Sequence, residues 1–207
     1  MTENDKKPAG TRRRLSPEAR REQIVMQTRR LFCDRGHAGF SLREVARACG
    51  VNLSAVQHYF PGKDTLISEM INHSVTAYAR DMHALVDSLG HDPTGQLLST
   101  IEYLISLNNE PDSARFFINL WSFAHEDATG AKYLVDLYQP MIDWLMRCIR
   151  RLLPDLPEEE IAMKANLILS TADGLLSAGM LGDCYFKDGP KPSPRQYAEK
   201  VLQFALK

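Results

Sequence analysis

The 207-residue chain has no apolar run approaching the roughly 20 residues that a membrane-crossing helix needs. Its first sixteen residues are polar, with Pro8, Gly10 and the run Arg12-Arg13-Arg14, and lack the apolar stretch of a secretion signal. No internal repeat and no low-complexity segment is present. Cysteine is sparse: Cys33, Cys49, Cys148 and Cys184 form no CxxC pair and fit a reduced cytoplasm, the expected location. The six histidines fall in no HExxH motif and no His/Cys cluster at ligand spacing, so no metal site is expected. There is no GxSxG, no glycine-rich phosphate loop, and no strand-period alternation to carry one. Most enzyme classes are thereby excluded, and no catalytic residue or cofactor is expected. His125-Glu126-Asp127 lies near a helix end, where capping accounts for it.

What the chain does have is concentrated in Ser41–Lys63, SLREVARACGVNLSAVQHYFPGK. Ser41 followed three residues later by Glu44 is a capping box. Leu42, Val45 and Ala46 lie on one helical face, and Cys49 closes the stripe as a small apolar residue. Gly50 stands where a left-handed C-terminal cap requires glycine, and Asn52 is a strong N-cap for a second helix. There Val56 and Phe60, at i and i+4, face inward, leaving Leu53, Ser54, Ala55, Gln57 and His58 outward. Pro61-Gly62 ends the helix.

That outward set suits a DNA groove. Gln57 can pair with adenine, and Leu53 or Ala55 can touch a thymine methyl. Ser54 and Ala55 are small enough for close backbone approach to phosphate, which a helix N-terminus attracts. Tyr59 and Lys63 suit phosphate contacts that fix register, and Ser41, Arg43, Asn52 and His58 complete the candidate DNA-binding set. The rival reading is a helical corner inside an ordinary helical enzyme, which would need no exposed Leu53.

Charge is divided to match. Residues 1–63 carry a net +7 and residues 64–207 a net −8, giving −1 overall. Arg20, Arg21, Arg29 and Arg30 add to the positive end. Residues 1–16 read either as a disordered basic arm reaching a minor groove or phosphates, or as a tail that raises solubility.

From Thr11 to about Tyr78 the chain resembles the DNA-binding domain of the TetR family of transcriptional regulators. The matching residues are Ile24, Leu31 and Phe32, then Arg35-Gly36-His37-Ala38-Gly39-Phe40-Ser41, Val45-Ala46, Cys49-Gly50-Val51, His58-Tyr59-Phe60, Lys63-Asp64 and Leu66. Asn52, Ser54, Ala55 and Gln57 depart from common family choices. A tyrosine that commonly contacts DNA is replaced by Gln57, so a different preferred base sequence is expected. The resemblance implies an all-α, TetR-like fold: an N-terminal three-helix helix-turn-helix domain, residues 17–78, and a larger C-terminal helical bundle, residues 79–207, for ligand sensing and dimerisation.

The remaining sequence fits that division. A long connecting helix is predicted over Lys63–Ser88, with Leu66, Ile67, Met70, Ile71, Val75 and Tyr78 buried. A break follows over Gly90–Gly95, then helices over Gln96–Leu107, Asp112–Glu126, Gly130–Leu153, Pro157–Cys184 and Ser193–Leu206. Pro140 should kink or split the fourth of these six helices. The resemblance implies that the last two pair across a homodimer axis. The wide apolar arc of Ile161, Ala165, Ile168, Leu169, Ala172, Leu175, Leu176 and Met180, with Gly174, Ala178 and Gly179 allowing close approach, is consistent with this. A helix wholly internal to one subunit would have the same pattern. A ligand pocket, again implied by the resemblance, has as candidates Tyr103, Phe117, Asn119, Trp121, His125 and Trp144, although such a stripe also describes plain core. The expected partners are a palindromic double-stranded DNA operator, a second copy of the chain and a small apolar or amphipathic effector. The expected outcome is repression; an activator, or an architectural DNA-coating protein without a ligand, is the alternative.

Overall fold

Ser16 caps the first helix, accepting a hydrogen bond from the Ala19 N–H while Pro17 occupies the first helical position. In the computed structural model the described residues are 15–90, 92–180 and 189–207, with 177–180 as backbone alone, and they form nine helices and no strand. In order these are α1 (Pro17–Arg35), α2 (Leu42–Cys49), α3 (Leu53–Tyr59), α4 (Lys63–Asp87), α5 (Pro93–Asn109), α6 (Pro111–Glu126), α7 (Ala128–Leu152), α8 (Glu158–Met180) and α9 (Pro194–Ala205). None of them is long and apolar enough to cross a membrane. Residues 1–14, Cys184 and the side chains of Ala178 and Met180 lie outside the described residues.

Two helix readings change. Asp92 caps α5, accepting from the N–H groups of Thr94 and Gly95, so α5 begins at Pro93, inside the break expected over Gly90–Gly95. Pro140 neither ends nor divides α7, which runs unbroken through it. Its side is exposed, as is Asp136 one turn earlier, so the carbonyl that loses its partner faces water. On α4, Ser74 is buried and Val75 and Tyr78 half-buried; the Ser74 hydroxyl is satisfied by donating to the Met70 carbonyl at 2.9 Å.

The apolar residues gather into two cores. One joins Ile24, Phe32, Val45, Val56, Phe60, Leu66 and Met70 of the first four helices to Phe116, Phe117, Leu120 and Phe123 of α6. The other is built by α5, α7, α8 and α9, around Leu97, Ile101, Leu145, Ile149, Ile161 and Ile168. Helix α6 therefore shares its core with the N-terminal helices, although it lies past the expected division at residue 78.

Polar bonds fasten the same joint. The Asn119 amide donates to the carbonyls of Phe32 and Cys33, both at 3.0 Å, in the last turn of α1. The Phe32 carbonyl already accepts from the Gly36 N–H at 2.8 Å, so Asn119 adds a second donor there and supplies one to the Cys33 carbonyl, capping α1 from outside. Gly36 follows at φ +69°, and a Cβ there would lie 3.1 Å from the Asn119 Oδ1. The His37 ring then stacks on Phe123 with centroids 3.8 Å apart. Burial, then the nearby Lys63 ammonium, holds the His37 pKa below its ordinary value, against the opposing pull of Asp127, Asp64 and Glu126.

Replacing Asn119 by Ala should lower stability by about 1–3 kcal/mol, the cost of leaving the Cys33 carbonyl unmet, measured as a shift in chemical denaturation. His37 binds its proton less readily in the fold than in the unfolded chain. Its contribution is thus present above the ordinary histidine pKa and fades as pH falls through 6.5 toward the lowered value. His37→Phe should keep the stack and flatten that part of the stability–pH curve; an unchanged curve would dismiss His37 as its source.

Candidate nucleic-acid interface

The geometry of α2 and α3 follows from local chemistry. The Ser41 hydroxyl accepts from the Glu44 N–H while the Glu44 carboxylate accepts from the Ser41 N–H at 2.9 Å. Gly50 takes φ +66°, ψ 35°, the left-handed conformation that ends α2 and turns the chain. Asn52 accepts from the Ala55 N–H at 2.8 Å and from the Ser54 hydroxyl at 3.0 Å. Val56 and Phe60 are buried, each burial being worth roughly 1.5–3 kcal/mol, and they lock the short α3 onto the core.

That locking leaves Ser54, Gln57 and His58 exposed on one helix, with Leu53 and Ala55 half-buried beside them. Arg43 is exposed one helix earlier. Arg47, which the sequence reading passed over, is also exposed on the same face of α2; its i+4 spacing from Arg43 was the signal available. Tyr59 is half-buried against the core and meets His58 edge-on at 5.3 Å. Ser41 and Asn52 are exposed, but their side chains are engaged as caps.

Two basic residues have other work. The Lys63 ammonium donates to the His37 carbonyl and sits 4.6 Å from the centre of the Phe40 ring. Burial pulls its pKa down while Asp64 and Glu44 oppose the change. Lys63 therefore also braces α4 against the turn before α2. Arg29 donates to the Tyr78 hydroxyl at 3.1 Å and lies over Phe116, inside the joint of α1, α4 and α6. Cys33 and Cys49 are buried, which raises both thiol pKa values and disfavours the reactive thiolate.

The candidate pocket residues do not converge. Asn119 is spent on α1, and His125 is exposed. The Trp144 indole donates to Thr100 in the second core, whereas Phe117 and Trp121 belong with the first. Tyr103 reaches the Tyr78 carbonyl at 3.4 Å, and burial pushes its phenol pKa up to about 12. Trp121 alone joins a polar cluster, through Tyr138, to Asn108 and Asp173. Asp173, in apolar surroundings on α8, gave no sequence signal of it.

Residues 24–70 match the family model described as bacterial regulatory proteins, tetR family. The chain is 26% identical over 200 residues to the HTH-type transcriptional regulator PksA of Bacillus subtilis, covering 91% of this chain and 93% of that one. A transcriptional regulator of Pseudomonas aeruginosa PAO1 superposes with a TM-score of 0.73 at 20% identity, over 93% of this chain and 89% of that one. AibR, solved with isovaleryl coenzyme A and operator DNA, has a TM-score of 0.65 at 20% identity, over 89% and 97% of the two chains. These two likenesses establish the fold.

Gln57→Ala or His58→Ala should alter which base pairs are preferred, at roughly 1–3 kcal/mol on the best site. Lys63→Ala should weaken every sequence alike and also lower the melting temperature. Uniform loss in all three variants would mean that α3 does not face the bases.

Proposed function

We propose that the chain, which belongs to the tetR family of bacterial regulatory proteins and is a DNA-binding transcriptional regulator, works as a dimeric repressor released from a palindromic operator by a small ligand. The observation that carries the DNA-reading part is the presentation of α3: capped at Asn52, pinned by Val56 and Phe60, with Gln57 and His58 free on its outer face. Gln57 and His58 supply base recognition, Leu53, Ser54 and Ala55 the close approach, and Arg43 and Tyr59 the register. Reading a palindrome takes two such helices about 34–36 Å apart.

A second copy has a suitable surface. Met163 and Leu167 of α8 and Phe204 of α9 are 60%, 51% and 76% exposed, a high exposure for large apolar groups. A crevice of about 280 Å³ runs between the two helices, lined by Leu167, Ile168, Val201 and Phe204 with Lys164 and Lys200 at its edges. Pairing α8 and α9 with those of a partner would cover it in a two-fold arrangement. The sensing part draws support from relatives: AibR was solved with isovaleryl coenzyme A, and a FadR of Bacillus subtilis with stearoyl-CoA. An apolar or amphipathic effector bound among α5–α8 would act on the reading heads through α4 and through the grip of α6 on α1.

Selection of bound sequences from a random DNA pool tests the reading. The expected result is one inverted repeat, with half-sites one helical turn or a multiple apart. Leu167→Glu combined with Phe204→Glu should give a monomer in sedimentation and lose preference for the paired site over a half-site. Asymmetric selected sequences, or a wild-type monomer at micromolar concentration, would end the dimeric reading.

A further inference from the structure

Helix α3 is seven residues long and packs mainly on α2, so few contacts fix its far end. That end is Phe60, which is 3% exposed and whose N–H donates to the Val56 carbonyl at 2.9 Å. Only Pro61 and Gly62 separate Phe60 from the start of α4 at Lys63. His58 and Gln57 stand two and three residues before Phe60, in the last turn of α3.

A side chain from α1 reaches this end. The Arg21 guanidinium lies over the Phe60 ring, 5.2 Å from its centre, and forms an ion pair with Glu69 in the second turn of α4. The two partners are 48% and 32% exposed, and an exposed ion pair by itself adds little stability. What this pair does is fix a planar cation on a ring face. Glu69 holds the guanidinium, the guanidinium covers the ring, and the ring terminates α3. Helices α1, α3 and α4 thereby meet through Arg21 at the end of the helix that presents Gln57 and His58.

An arginine at the positive end of the chain could instead serve as a direct phosphate contact. The two roles make opposite demands on Glu69. Phosphate would compete with Glu69 for the guanidinium, so removing the carboxylate would free the arginine and strengthen binding to every sequence. A positioning role needs Glu69, so removing it would weaken binding to the preferred sequence alone.

We propose that Arg21 is a positioning residue of the reading helix: clamped by Glu69, it holds the Phe60 ring and so sets where α3 places Gln57 and His58. The assignment rests on the reading of α3 as the base-reading helix and adds the side chain that orients it. Hydrogen bonds to a base edge weaken steeply with displacement and angle. A loosened α3 therefore loses discrimination between sequences before it loses attraction to the DNA backbone.

The test uses the full chain and two duplexes, the site recovered by selection from a random pool and a scrambled sequence of the same composition. Each is titrated over a range of salt. Arg21→Met, which keeps a long apolar stem, and Glu69→Gln should each reduce the ratio of the two affinities by about fivefold, the equivalent of one lost cation–ring contact. The salt slope should stay unchanged, and the double variant should lose little more than either single one, because both act through one contact. Melting curves establish that each variant is folded at the binding temperature. Equal loss on both duplexes in Arg21→Met with a salt slope smaller by about one, or tighter binding to both in Glu69→Gln, would make Arg21 a phosphate contact and overturn the assignment. So would an unchanged ratio accompanied only by a lower melting temperature. Gln57→Ala and His58→Ala separate the two failures. If they alter the selected sequence while the Arg21 and Glu69 variants keep the ratio, the reading helix stands and the positioning role falls. If they leave the selected sequence unchanged, the reading of α3 falls and the positioning role with it.

Discussion

The grip of α6 on the end of α1 is the constraint on which the arrangement of the N-terminal helices depends. A helix C-terminus leaves carbonyls without partners, and here that of Cys33 is met by Asn119 from a distant part of the chain, which also bonds the Phe32 carbonyl beside its Gly36 partner. The turn that follows, Gly36 to Gly39, leads directly into α2. Its course is set by the close fit of Gly36 against Asn119, the His37–Phe123 stack and the Lys63 bond to the His37 carbonyl. The orientation of α2 and α3, and so of Gln57 and His58, is inherited from a helix outside the helix-turn-helix.

Placing this grip on α6 gives the protein two mechanical links between its halves. One is continuous backbone, α4. The other is packed rings and hydrogen bonds, from Phe116, Phe117 and Asn119 to α1. The first transmits rotation of a rigid rod, whereas the second depends on side-chain packing and responds to smaller displacements.

The sequence made the reading head legible because its determinants are local. The Ser41–Glu44 box, the Gly50 turn, the Asn52 cap and the inward pair Val56 and Phe60 each involve residues within a few positions of one another. Long-range choices were not legible. Asn119 reads as a pocket amide until its partners, 86 and 87 residues away, are known. The bracing role of Lys63 shows only once Phe40 and His37 are placed beneath it. Trp121 and Trp144 look equivalent in composition, yet one joins Tyr138 and Asp173 while the other is held by Thr100. A split at Pro140 does not occur, and the pattern alone does not say which side of α7 meets water.

The core shared between α6 and the first four helices bears on modularity. Helix-turn-helix units are attractive as interchangeable parts, to be cut at the connecting helix and joined to a different sensor. A piece ending near residue 78 would leave behind the ring faces of Phe116, Phe117 and Phe123 and the amide that terminates α1. The severed unit would expose an apolar surface and leave the Cys33 carbonyl without its Asn119 donor at once. The transplantable unit of this protein is therefore discontinuous in sequence, and any graft must carry α6 along with the head it holds.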